Sequence, residues 1–293
     1  MLTSIMEQLI NGLRTGSIYA LIALGYTMVY GIAKMINFAH GDIIMVGAYT
    51  LYIGIALLHL PVLPAMLLTA VVCSVLGMLI EKIAYKPLRK APPLAVLITA
   101  IGMSYFLQSV ALLIFSSTPI PFKSVIEVEG IQVGTVNISG ITIVTLAVTT
   151  VIMVGLTLFI NRTKAGSAMR AVSEDRGAAE LMGINVNGTI ALTFAIGSAL
   201  AAVAGVLLCS AYPSLTPYTG AMPGIKAFVA AVFGGIGSIP GAFIGGILLG
   251  VIEIFGKAYI SSQMADAIVF AVLIIVLLVK PTGLLGKKIQ EKV

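Results

Sequence analysis

Charge is scarce in this chain of 293 residues, with Asp, Glu, Lys and Arg together making up only 10%. A soluble surface needs roughly a quarter of residues charged, so this composition excludes an ordinary soluble domain. The 59% share of hydrophobic residues points to an integral membrane protein. Histidine is nearly absent. His40 and His59 are the only two and do not fall in a paired-ligand spacing such as HExxH. Cysteine is equally sparse: Cys73 and Cys209 each lie inside an apolar run, which leaves neither a disulfide framework nor a Cys-based metal site and suits small core residues. No metal site is therefore expected. A phosphate loop is missing too. Residues 250–258 read GVIEIFGKA, one residue too long before Gly-Lys and with Ala258 where Ser or Thr would hold Mg²⁺. Ser238, in Gly-Ile-Gly-Ser-Ile, falls short of a nucleophile elbow, which counts against an intramembrane hydrolase. Glu7 precedes the first basic residue, Arg14, so no cleavable signal peptide is expected. No catalytic residue emerges, and any energy for work must come from a partner or an ion gradient.

What the chain does have is long apolar runs. About 20 apolar residues cross a bilayer, and 9–30, 62–84, 94–115, 141–160, 189–211 and 265–279 qualify. Two further regions are apolar but interrupted: 43–60 follows the polar hexad 37–42, and 225–255 is broken by the glycine-rich stretch 234–241. The expected fold is all-α and polytopic, with about eight to nine transmembrane helices in one domain over 1–293. Small residues recur where helices must meet closely: Gly12/Gly16, Gly241/Gly245 and Gly246/Gly250 are GxxxG pairs. Gly234, Gly235, Gly237, Ser238 and Gly241 mark a tightly packed helix break. The halves are loosely parallel, each carrying an interrupted segment, as internally repeated transporters do.

The net charge of +6 does not indicate nucleic acid, because the basic residues form neither a stripe nor a patch interleaved with aromatics. They report topology instead. Lys82, Lys86, Arg89 and Lys90 share one loop, Arg162, Lys164, Arg170 and Arg176 a second, and Lys280, Lys287, Lys288 and Lys292 the C-terminus, twelve of the 17 in all. By the positive-inside rule these face the cytoplasm, and 116–140 and 213–224 face outward. The side of the N-terminus stays open.

The second of those loops, 162–188, is the longest polar segment with a helical pattern. Met169, Val172, Ala179 and Met182 fall on one face, and Arg170/Glu174 and Arg176/Glu180 are i,i+4 opposite-charge pairs. A short amphipathic helix from Gly166 to Met182 is expected, with Gly183 as its stop. The pattern Gly166, Arg170-Ala171, Asp175, Ala179, Leu181, Gly183-Ile184 resembles the cytoplasmic loop by which ABC-importer permeases dock on their ATPases. With Asn37-Phe38-Ala39-His40-Gly41-Asp42, Phe194-Ala195-Ile196-Gly197-Ser198-Ala199-Leu200-Ala201 and Gly234-Gly235-Ile236-Gly237-Ser238-Ile239-Pro240-Gly241, it gives nearly the whole chain a likeness to the first permease subunit of branched-chain amino acid importers, the LivH type. Ser167 departs from the pattern, standing where a basic residue is expected.

The resemblance implies an ABC-importer permease bundle in a bacterial or archaeal cell (inner) membrane, its C-terminus cytoplasmic. It implies a second homologous permease subunit, two cytoplasmic ATP-binding subunits and an extracytoplasmic substrate-binding protein as partners. ATP and Mg²⁺ would sit on the ATPase subunits and no cofactor on this chain. The implied cargo is leucine, isoleucine and valine. Related permeases carry urea, other amino acids or simple sugars, and an ATP-independent secondary transporter or channel is the alternative from another class. The docking face would comprise Gly166, Met169, Arg170, Ala171, Val172, Glu174, Asp175, Ala179, Met182 and Gly183. The resemblance also puts Asn37, His40 and Asp42 near the translocation route, whereas Asp42 alone reads equally as a cap of the following helix. Glu253, mid-segment with Lys257 at i+4, is a further pathway or helix-pairing residue.

Overall fold

The computed structural model describes residues 2–134 and 136–286; Lys287, Lys288 and Lys292 of the basic C-terminus lie outside them. The fold is helical. Its centre is α1 (Leu2–Ala33), which packs against five other helices and buries Ile18, Leu21, Ile22, Leu24 and Met28 completely. Around it stand α2 (His40–Tyr52), α3 (Val62–Ile80), α4 (Pro93–Phe115) and α5 (Gly140–Arg162). The chain continues through α6 (Lys164–Glu174), α7 (Arg176–Leu181), α8 (Val186–Ala211), α9 (Ala221–Gly234), α10 (Ile239–Tyr259) and α11 (Ala265–Val279). Helices α2 and α3 each end in a π-helical turn, Ile53–Leu57 and Glu81–Tyr85.

Among the described residues, seven helices are long and apolar enough to cross a membrane, and α9 and α11 are shorter apolar helices. The run 265–279 forms α11, whose 15 residues extend about 22 Å against the ~30 Å hydrocarbon core, yet it carries the chain from the end of α10 back to Phe233 and Gly234 at the other end of the bundle. Exposed Leu63, Leu67 and Val71 of α3, Ile98 and Phe106 of α4, and Val151 and Leu158 of α5 form an apolar flank suited to lipid.

Glycines set the closest contacts. Helices α1 and α10 run antiparallel with their GxxxG pairs against each other. A Cβ on Gly16 would lie 2.6 Å from the Ile247 carbonyl, and one on Gly250 only 2.2 Å from Gly16 Cα. Gly241 and Gly245 turn the other way, onto α9, where a Cβ on Gly245 would meet the Ala230 carbonyl at 2.3 Å. The small residues of α8 serve α2 and α3 likewise, Gly205 beneath the Ile44 carbonyl and Ser198 over Gly77.

The two ends of the bundle differ in chemistry. At one, the end of α1 meets α7, Gly31 faces Gly237 of the break, and Arg89 hydrogen-bonds Asn187 at the start of α8. At the other, the N-terminal part of α1 packs on a short ribbon, β2 (Ile131–Val133) with β3 (Val136–Ile138), and Thr15 hydrogen-bonds Tyr212 at 3.3 Å. A second ribbon pairs β1 (Ile120–Pro121) with β4 (Ser214–Leu215). The two segments read as plain loops thus hold each other in place. The start of α1, whose side the basic residues leave open, sits at the end opposite the basic loops.

Candidate functional site

The polar loop after α5 is built as a bracket. Thr163 caps α6, its Oγ1 accepting from Gly166 N at 3.0 Å, and Gly166 lets α6 fold back so closely that a Cβ there would lie 2.4 Å from the Phe159 and Ile160 carbonyls. One helix over 166–182 was the expectation; the structure has two. Asp175 breaks it, because its carboxylate takes the Gly177 and Ala178 N–H groups at 2.8 and 3.0 Å and starts α7 with an N-cap. Gly183, at φ 80°, ends α7, with Ile184 N donating to the Ala179 carbonyl in a Schellman arrangement.

The amphipathic face is real but turns inward. Met169, Val172 and Ala179 are 0, 2 and 3% exposed, and α6 packs on α1, α5 and α8. These three residues form the bracket's own core and are not a free docking face. What the loop presents is its tip: Leu181 at 90% and Met182 at 82% exposure, beside exposed Glu174, Asp175 and Glu180, with Ala171 half-buried behind them. Both expected i,i+4 ion pairs give way to other partners. Arg170 donates to the Ile160 carbonyl at 2.6 Å and to Asn161 Oδ1 at 3.1 Å, and Arg176 reaches the Ala33 carbonyl at the end of α1. Helix C-terminal carbonyls lack intrahelical donors, so Arg176 ties the bracket to the central helix.

The polar hexad lies within the bundle. The His40 ring packs against Gly25, where a Cβ would lie 2.5 Å from Nε2. Gly25 is two turns before the end of α1, roughly 12 Å inward. Helix α2 thus begins inside the protein. Asn37, His40 and Asp42 are buried; Tyr85 donates to Asn37 Oδ1 at 3.0 Å, Gln108 to Asp42 Oδ1 at 2.9 Å, and His40 stands edge-on to Tyr26 at 4.6 Å. Asp42 occupies the first turn, while the cap position is Ala39, which makes no side-chain cap. Gln108 was missed, although it is the one amide in the apolar run 94–115. Gly41 lies under Gly220 and Gly224, so the starts of α2 and α9 meet, and with them the two interrupted segments.

Glu253 is buried in α10 with more partners than its spacing announced. Its Oε1 accepts from Lys226 at 2.9 Å and from Lys257, and its Oε2 accepts from Tyr19 at 2.8 Å. Lys226, inside the interrupted apolar region 225–255, is itself buried and also pairs with Asp266 at 2.6 Å. At the helix break, Gly235 and Gly237 adopt φ of 104° and 93°, open to glycine alone at little cost. Ser238 caps α10 through Gly241 N at 3.2 Å, and a Cβ on Gly234 would lie 1.9 Å from the Gly241 carbonyl. The C-terminal segment closes the break: Leu284 and Leu285 donate to the Phe233 and Gly234 carbonyls at 2.9 Å each.

Residues 8–277 match the family described as "Branched-chain amino acid transport system / permease component". The chain is 49% identical to the high-affinity branched-chain amino acid transport system permease protein BraD of Pseudomonas aeruginosa, covering 98% of each. It is 48% identical to the LivH permease protein of the corresponding Salmonella typhimurium system, over 98% of this chain and 97% of that one. In three dimensions it resembles PsaBC from Streptococcus pneumoniae, solved with a Fab, at a TM-score of 0.50 and 15% identity over 96% of this chain and 97% of that one, a likeness of fold alone. With that fold and a family match over nearly its full length, the chain belongs to the permease components of branched-chain amino acid transport systems.

Proposed function

We propose that the chain is the membrane permease subunit of an ATP-driven importer of leucine, isoleucine and valine. The observation carrying this is near-full-length similarity, at almost half of all positions, to permeases of high-affinity systems for those amino acids. In this reading it pairs with a second homologous permease subunit, receives cargo from an extracytoplasmic binding protein and is driven by two cytoplasmic ATP-binding subunits that carry the ATP and Mg²⁺. The basic loops and the C-terminus face the cytoplasm. That puts the bracket of α6 and α7 on the motor side and the two ribbons outside.

The contact with the motor is the tip, Leu181 and Met182, and not the inward face of α6. Two large apolar side chains so exposed at a loop end need a partner. Glu174, Asp175 and Glu180 beside them disfavour an anionic lipid surface. Asp175, Gly166 and Gly183 shape the bracket, Met169, Val172 and Ala179 form its core, and the packing of α6 together with Arg176 fastens it to α1. A push on the tip then displaces α1 and the α10 locked to it by glycines. Co-expression with the other components of its system and reconstitution in liposomes tests this. ATP-dependent uptake of labelled leucine, isoleucine and valine is expected, lost when the ATP-binding subunits are omitted. Uptake that persists without ATP would return an ion-coupled or passive route.

A further inference from the structure

The polar cluster around Glu253 lies apart from the motor contact, one and a half turns before the end of α10 and toward the end of the bundle that carries the ribbons. A cavity of about 180 Å³ opens there, with Tyr19, Lys226, Glu253 and Lys257 on its polar side and Leu208 and Met222 on its apolar side. Four helices supply the polar groups: Tyr19 from α1, Lys226 from α9, Glu253 and Lys257 from α10, and Asp266 from α11. A buried ion pair is poor value as a stabiliser, since well-packed apolar residues usually do as well or better. Ionisable groups inside a membrane bundle are by default functional.

We infer that this cavity is a binding site for one small zwitterionic amino acid with an apolar side chain, its ammonium on Glu253 and its carboxylate on Lys257. The hydrogen-bond inventory leaves room for such a guest. A carboxylate offers about four acceptor positions and an ammonium three donors. Glu253 uses two positions on Oε1 and one on Oε2, which leaves an acceptor on Oε2; Lys257 commits itself to Glu253 Oε1 alone. Lys226 is occupied twice and buried, whereas the Lys257 side chain is 40% exposed and stands at the entrance. Charge selects the guest further: Glu253 and Asp266 balance Lys226 and Lys257, so a zwitterion keeps the site neutral, and a lone anion or cation does not. The volume is below the roughly 300–1,000 Å³ of drug-sized pockets and suits a single small molecule beside an apolar wall.

The inference rests on the proposed function only for the choice of side chain. Its test uses the chain purified in nanodiscs with the other components of its system but without the binding protein, and the probe is labelled leucine in equilibrium dialysis. Binding is expected, displaced at least tenfold better by unlabelled leucine than by 4-methylpentanoate, which lacks the ammonium, or by isoamylamine, which lacks the carboxylate. Lys257→Met is expected to weaken leucine at least tenfold while strengthening isoamylamine, whose cation neutralises the site once that lysine is gone, and Lys257→Arg to retain binding. Met222→Trp, which fills the cavity from its partly exposed mouth, is expected to abolish binding. No leucine binding to the wild type, competition by either half-ligand as good as that by leucine, or wild-type affinity in Met222→Trp would overturn the site. Should a variant fail to assemble, the wild-type competition series decides alone. Failure here with leucine uptake by the complete importer intact would leave the proposed function standing; absence of uptake in the complete importer is the separate failure of that function.

Discussion

Removing the two side chains at the loop tip is the sharpest perturbation of the proposed motor contact. Leu181 and Met182 touch almost nothing within this chain, being 90% and 82% exposed. The double variant Leu181→Ala/Met182→Ala should therefore leave its fold within about 0.5 kcal/mol of wild type, as surface changes do. In a docked complex the same truncation removes apolar burial. Fully burying a Leu or Met is worth roughly 1.5–3 kcal/mol, and truncation to Ala forfeits most of it, so the pair should cost about 2–4 kcal/mol. At 1.4 kcal/mol per tenfold, affinity for the ATP-binding subunits should fall roughly 30- to 700-fold. The assay is titration of the nanodisc-embedded permease with purified ATP-binding subunits, with thermal unfolding of the permease alone as control. Ala179→Arg is the contrasting variant: buried in the bracket, it should lower the unfolding temperature of the permease itself, since an unpartnered buried charge costs several kcal/mol. Unchanged ATPase affinity in the double variant would refute the tip as the contact.

Single-cysteine reporters at Arg89 and Ser173 should be labelled only from the cytoplasmic side and one at Val128 only from outside; labelling of position 173 from outside would invert the topology and remove the motor contact with it. Gly250→Leu should prevent stable assembly, because its Cβ would already lie 2.2 Å from Gly16 Cα, whereas Gly155→Leu, with nothing within 4 Å, should be tolerated; monodisperse yield in detergent compares them. Gly241→Leu should impair transport more than Leu248→Ala, since the first collides with the Gly234 carbonyl and the second only removes a half-exposed side chain; equal uptake would make the break a passive linker. Arg176→Met should keep ATPase binding but reduce coupled uptake, the lost bond to the Ala33 carbonyl being worth about 1.5–3 kcal/mol; uptake per ATP hydrolysed is the readout.

Much of the architecture was legible because hydrocarbon demands long apolar runs and small residues at contacts. The GxxxG pairs Gly12/Gly16 and Gly246/Gly250 were readable as contacts, but not that each was the other's partner, because spacing along one helix carries no information about the facing one. Helices α3 to α5 are apolar all round, so no periodicity says which side meets lipid. The face of Met169, Val172 and Ala179 was readable as buried. What covers it was not: an amphipathic pattern reports a boundary between polar and apolar surroundings, and the chain's own α1 satisfies it as well as a partner would. Asp175 carried the signal for the break, a capping residue in mid-helix followed by Gly177. Lys226 carries no such signal, because a single lysine at the start of an apolar run does not say what faces it. Only the approach of α1, α10 and α11 reveals its two carboxylate partners and a phenol on the same glutamate.

The meeting of the two interrupted segments bears on how such a bundle moves. Helices α2 and α9 meet at their starts with glycines at the closest approach, a Cβ on Gly41 lying 2.7 Å from the Gly220 carbonyl and one on Gly220 1.8 Å from that of Gly41. At that point the contact is backbone on backbone. It holds by backbone fit, which separates or slides without repacking a core, whereas α1 and α10 are bound along much of their length. On the proposed function, a displacement entering through Arg176 reaches α1 and α10 as one body, and the junction of α2 with α9 is the seam where that body parts from the rest. Helix α9 itself packs on α1 and α10, so Lys226 and Glu253 stay paired when α2 parts from α9. The polar side of the inferred site, carried by α1, α9 and α10, therefore moves as one unit with that body.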